Sequence, residues 1–328
     1  MGNNIQPAYG LNVSTKSFAK QIFSDKDFVK EASLATTMFV QDKIRENGFA
    51  RKVINTIPVS ESQLIETEET DQPVIMGYRD VDTRAFTVPL RGRGTYHYYE
   101  TEKFKVYFEK VVSEKIRKSK IEMMNSSIDY KSIFQRRITE AMYKVEDLTV
   151  MAGANKALAE EKAAAATAGA VKTTDEYTKT SQSIEFKDGI TLNKDSLVTF
   201  LQMPTQNQME VKKILMTASM KEELIRMSML EVGDSNVADM WKNGVNSIQS
   251  FWGKDIVTTI KNDVVADNEV YAFGGQGTEG SLYGWLFILR DHTVYLETDR
   301  DMLTIDSDAY LAHAIGNTKG VYKATYAI

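Results

Sequence analysis

A chain of 328 residues, 42% apolar and 26% charged, has enough material for a substantial core in one large domain or two modest ones. Its formal net charge of −5 argues against wholesale electrostatic binding of nucleic acid and confines any such contact to a local patch. The lack of cysteine excludes disulfides, thiolate metal sites and cysteine nucleophiles, and three histidines (His97, His292 and His313) speak against a histidine-rich metal centre.

The first residues, MGNNIQPAYGLNVSTKSFAKQ, carry no apolar signal-peptide core. No apolar run approaches the ~20 residues of a membrane helix, and MGNNIQ lacks the hydroxyl residue of a myristoylation signal. A protein made and used in a cytoplasm is expected. After this polar arm, SDKDFVKEASLATTMFVQDKIRENG predicts a helix opened by Ser24 and Asp27 and stopped by Gly48, with Phe28, Leu34, Met38 and Ile44 on one side. RKVINTIPV reads as a short strand.

From Ser60 to Arg93 apolar residues thin out and no helical period remains. An acidic limb (Glu61, Glu66, Glu68, Glu69, Asp71) precedes a basic one (Arg79, Arg84, Arg91, Arg93). Beyond Gly92 and Gly94, Phe104, Val106 and Phe108 alternate with Lys103, Lys105 and Glu109, the period of a strand with one buried face. Two strand-like limbs around a polar excursion predict an extended arm, which is not stable by itself in water.

SSIDYKSIFQRRITEAMYKVEDLTVMAGANKALAEEKAAAATAGA holds the strongest helical signal. Ser126, Ser127 and Asp129 are candidate N-caps. Phe134, Ile138, Ala141, Val145 and Leu148 form the predicted core face, and Arg136–Glu140 and Glu140–Lys144 pair at i,i+4 on the other side. From Asp129 to about Gly153 the helix would be ~36 Å long; composition leaves open whether the alanine-rich tract extends it or forms a loop.

TTDEYTKTSQS reads as a polar linker, NKDSLVTFLQMP as a helix closed by Pro204, KKILMT as a strand, and ASMKEELIRMSML as a helix capped by Ser219 with Glu222. SIQSFWGKDIVTTI predicts paired strands, followed by strands at EVYAF, GWLFILR, TVYLE and KGVYKATYAI. The class is α+β with a late run of antiparallel strands.

Catalytic motifs are nearly absent. RGRG at Arg91–Gly94 is followed by a strand, TYHYYE, so no helix N-terminus waits to receive phosphate, and a bend in the arm is the expected role. GGQGTEGS at Gly274–Ser281 lacks the Lys-Ser/Thr of a phosphate loop. Asp299, Asp301, Asp306 and Asp308 lack the order of a calcium loop and read as a solvated turn. His292, in RDH, reads as a turn residue and His313 as a packed or edge histidine. No Ser/His/Asp set, cofactor site or metal site is assigned.

The order of elements, with VEDLTVMAG, TASMKEELIRM and the closing VYKATYAI, resembles the major capsid proteins of tailed bacteriophages, the Hong Kong 97 fold, from about Ser24 to Ile328. The resemblance implies an N-terminal arm (1–24), an N-terminal helix and strand (25–59) and an extended β-hairpin loop, the E-loop (60–103). A peripheral domain with the spine helix (104–190) and an α+β axial domain (191–260) would follow. Residues 261–328 would hold the rest of the axial domain and the C-terminal return to the peripheral sheet.

By the same resemblance the chain is not an enzyme. It would form hexamers and pentamers of an icosahedral virion shell around double-stranded DNA, held by non-specific proximity, and would assemble in the host cytoplasm. A separate scaffolding protein, a portal protein and a decoration protein are the implied partners, with no membrane. No lysine lies between Val53 and Glu102, so the cross-linking lysine of some members has no counterpart in the loop. Intersubunit contacts are expected at Glu66, Glu68, Glu69, Asp71, Arg79, Arg84, Arg91 and Arg93, with Gly92 and Gly94 as the arm hinge. The alternatives are an encapsulin-like compartment shell and a small-molecule enzyme with a site near residues 274–281 and His292.

Overall fold

The computed structural model describes residues 48–66, 70–79, 102–125, 130–187, 190–224, 250–274 and 283–327. In chain order the elements are α1 (Ala50–Val53), β1 (Asn55–Pro58), β2 (Val74–Arg79), β3 (Glu102–Tyr107), β4 (Glu109–Val112), β5 (Ile116–Ser119), α2 (Lys120–Asn125) and α3 (Tyr130–Thr167). There follow β6 (Lys172–Thr173), β7 (Tyr177–Lys179), β8 (Ser183–Phe186), α4 (Lys194–Gln206), β9 (Val211–Thr217) and α5 (Ala218–Glu223). The last are β10 (Ser250–Phe251), β11 (Lys254–Thr259), β12 (Glu269–Gly274), β13 (Gly284–Asp299), β14 (Met302–Ile315) and β15 (Val321–Thr325). The predicted N-terminal helix, up to but not including its stop at Gly48, and the predicted caps of the long helix at Ser126, Ser127 and Asp129 lie outside the described residues.

The chain divides into two compact units, one built from Lys110–Glu146 and Arg290–Tyr310, the other from Phe49–Glu109, Asp147–Leu289 and Leu311–Ile328. In the larger unit the described strands form an eight-stranded sheet in the order β10-β11-β9-β12-β15-β8-β7-β6. Its middle strands are buried on both faces, and the two-residue period sorts their side chains. Ile214, Met216, Val270, Ala272, Tyr322 and Ala324 join Leu197, Phe200, Leu201 and Met203 of α4 in one core. The intervening Leu215, Tyr271, Phe273 and Val321 join Val150, Met151, Ala154 and Leu158 of α3 in another. The unit is therefore helix, sheet, helix, and each fully buried Leu, Ile or Phe contributes roughly 1.5–3 kcal/mol. The closing strand β15 pairs antiparallel to β12 and parallel to β8, inside this sheet. One neighbour, β8, comes from the segment 104–190 and the other, β12, from the segment 261–328.

Helix α3 has 38 residues, ~57 Å at 1.5 Å per residue. The alanine-rich tract continues it, since nothing there breaks the hydrogen-bond ladder. Gly169 ends it with φ +63° while the Ala170 N–H donates to the Ala165 carbonyl at 2.9 Å, a left-handed closure. Gly153 does not end the helix. A Cβ there would come within 2.5 Å of His313 Cε1, so the missing side chain is what lets β14 pack against the helix.

The predicted core face of α3 is only partly right. Phe134 and Ile138 are buried, but Ala141 is exposed and Val145 and Leu148 are 39% and 40% exposed. The buried arc steps by four through Met142, Glu146, Val150, Ala154 and Leu158. Glu146 within this arc and Asp147 beside it are buried acids, and each has a partner, described below. The Arg136–Glu140 pair is present at 3.9 Å.

Other expectations shift locally. RKV is a turn of helix preceding β1, and the supposed linker holds β6 and β7. Pro204 sits within the last turn of α4, which runs on to Gln206; the opposite end of that helix is secured by a reciprocal Asn193–Ser196 capping box. Thr217, not Ser219, caps α5, its hydroxyl accepting from the Met220 N–H at 3.2 Å.

In the smaller unit β5 pairs antiparallel with Met302–Ile305 of β14. GWLFILR and TVYLE are one 16-residue strand, β13, rather than two. Asp306 and Asp308 belong to β14 and not to a solvated turn; Lys115 and Lys110 neutralise them at 3.4 and 3.3 Å.

Candidate assembly surface

Strands β2 and β3 form a two-stranded sheet in which Val74 faces Tyr107 and Arg79 faces Glu102. Alternation gives the ribbon two faces. Ile75 and Val106 enter a core with Val59, Phe108, Ala312 and Ala314, and Phe104 packs against it. The Phe104 ring lies over Gly77, where a Cβ would meet it at 2.3 Å. The opposite face carries Met76, Tyr78, Lys103 and Tyr107; Tyr78 is 64% exposed, with the Lys103 ammonium 5.8 Å from its ring centroid. The hairpin is thus rooted in the larger unit at Val74–Ile75 and Val106–Phe108 and becomes exposed toward Tyr78.

Of the predicted contact residues, Glu66 and Asp71 are exposed at the root of this hairpin, and the Arg79 backbone ends β2 opposite Glu102. Glu68, Glu69, Arg84, Arg91 and Arg93, and the hinge glycines Gly92 and Gly94, lie outside the described residues, as does His97.

A few buried titratable groups organise the core. His292 is fully buried in β13 rather than in a turn, with Nε2 3.5 Å from Glu146 Oε2. Asp147, also fully buried, accepts the Ala50 N–H at 2.9 Å and the Lys261 Nζ at 2.5 Å, so it anchors the first turn of α1. Local pattern missed these pairs, because the partners are 146, 97 and 114 residues apart. Burial lowers the His313 imidazole to about 4, leaving it neutral between Gly153 and Tyr283. Among the described residues no three His, Cys, Asp or Glu side chains are grouped to hold a metal ion, and no helix is long and apolar enough to cross a membrane. Beyond Gly274, the loop Gly274–Ser281 of the enzyme alternative lies outside the described residues.

No protein-family model matches the chain, and no curated protein does. Solved structures do. The capsid structure of cyanophage P-SCSP1u superposes with a TM-score of 0.55 at 10% identity, over 84% of this chain and 86% of that one. A protein of Microbacterium phage Oxtober96 gives 0.53 at 14% identity, over 86% and 91%. The virus-like particle from Pyrococcus furiosus gives 0.50 at 11% identity, over 88% and 97%. The fold is therefore that of capsid-type shell subunits, the α+β Hong Kong 97 architecture, and it extends over most of the chain.

Proposed function

We propose that this chain is a major capsid protein of a tailed phage, which assembles as hexamers and pentamers into an icosahedral shell around double-stranded DNA. The observation that carries the reading is the fold, shared with a phage capsid over most of both chains. The hairpin β2–β3 supports it: its root is in the core, its outward face bears Tyr78 and Tyr107, and in the described residues each strand has the other as its ladder partner. Open strand edges are satisfied when another chain covers them. The role is structural rather than catalytic, and the site is virion capsid.

On this reading the loop of residues 60–103 reaches from its root at Val74–Ile75 across a neighbouring subunit, hinged at Gly92 and Gly94. Arg79, Arg84, Arg91 and Arg93 meet carboxylates there, and Glu66, Glu68, Glu69 and Asp71 meet basic groups. Exposed ion pairs contribute only ~0–1 kcal/mol each. Such weak contacts let misplaced subunits dissociate before a shell closes. A scaffolding protein guides assembly in the host cytoplasm, with a portal and a decoration protein as further partners. Sedimentation of the purified protein over a range of concentrations tests the reading: capsomers or megadalton particles support it, and a monomer or dimer throughout contradicts it.

A further inference from the structure

The turn between β10 and β11 violates its own sequence preference. Ser250 pairs with Asp255 and Phe251 with Lys254, so Trp252 and Gly253 alone make the loop. Their φ values are +50° and +71°. Two consecutive left-handed residues define a primed hairpin turn, for which Asn-Gly is the favoured pair. Gly253 fits. Trp252 does not, since a Cβ in this region is crowded by the following carbonyl and a bulky side chain is rare there.

The indole gains little burial in return. It is 49% exposed and stacks on Phe251, with ring centroids 5.0 Å apart and planes at 27°. Phe251 is itself 4% exposed, within the core that includes α4. A half-exposed tryptophan is thus held on a buried aromatic platform, on the outermost described strand of the eight-stranded sheet. A local rule broken for so little burial among the described residues points to a residue kept for a contact outside the chain. Tryptophan on a pre-ordered mount also has the profile of an interface anchor, because little side-chain freedom remains to be lost.

We propose that Trp252 anchors a contact with a second copy of this chain. The inference rests on the shell reading above, in which each subunit meets identical neighbours. Within a ring of copies the contacts join different patches of successive chains, so the indole of one chain meets another patch of the next rather than its own counterpart.

The test compares Trp252→Asn with Trp252→Phe by light scattering and sedimentation against concentration, with thermal melting of the unassembled chains. Asn suits the turn, so its unassembled chain melts no lower than wild type. Its threshold concentration for assembly rises about tenfold or more, the loss expected of an anchor residue. Phe, which keeps an aromatic ring, assembles at a threshold between the two. If Trp252→Asn assembles as wild type does, the anchor proposal is overturned while the shell reading stands. The proposal is equally overturned if both variants melt well below wild type, which would give Trp252 an internal role. A wild type that never associates overturns both.

Discussion

Removing the Asp147 carboxylate tests the internal frame of the larger unit. The side chain is fully buried and accepts from the Ala50 N–H and the Lys261 ammonium. Breaking a buried ion pair from one side costs about 3–5 kcal/mol. Lys261 is 23% exposed, so water recovers part of its solvation, and Asp147→Asn is expected to cost about 2–3 kcal/mol. Asp147→Ala also strands the Ala50 N–H, adding about 1–3 kcal/mol. Urea unfolding of the unassembled chain should show a lower midpoint with an unchanged slope, and melting should fall by about 2–4 °C per kcal/mol. Adding Lys261→Met to Asp147→Asn should recover about 1 kcal/mol or more, because no uncompensated charge remains. A loss below about 1 kcal/mol for Asp147→Ala, or no recovery in the double variant, would refute the reasoning.

Other outcomes follow from the same structure. Burial holds His313 at about 4 in the folded chain against ~6.5 unfolded, so between these values the unfolded chain binds the extra proton and stability falls as pH is lowered. On the order of 3 kcal/mol is lost across that window, and denaturation midpoints of His313→Gln should depend less on pH there; an unaltered dependence would refute the assignment. On α3, Ile138→Ala should cost about 2–5 kcal/mol by urea unfolding, whereas Val145→Gln should stay within ~0.5 kcal/mol in the unassembled chain; the reverse ranking would restore the face read from spacing. Reversing the charges of Arg91 and Arg93 together should impair assembly in scattering assays while leaving the melting temperature of the unassembled chain unchanged. Normal assembly would sink the pairing idea.

What was legible in the sequence was what local period encodes. The alternation of Phe104, Val106 and Phe108 located β3 and its buried face, with Val106 and Phe108 in the core. The runs EVYAF and KKILMT located strands of the central sheet. The long helix was legible too, but its phase was not. Glu146 and Asp147, as acids, fall outside a stripe of apolar residues drawn by spacing, which runs instead through Val145 and Leu148. Their burial depends on His292 and Lys261, which no local window contains. The same long-range partner hid β13, whose polar Arg290-Asp291-His292 resembled a turn. Thr217 is overlooked as a cap because Ser219 and Glu222 match the spacing of a capping box two residues too late. The strain at Trp252 has no signature in composition at all; it shows only once the two-residue loop is known.

The most direct test of the assembly account is an electron cryomicroscopy reconstruction of the purified, assembled protein. A closed shell in which residues 80–101 of each chain lie on the body of a neighbouring copy is the predicted result. A particle of one or two chains, with that segment folded back on its own larger unit, would contradict it.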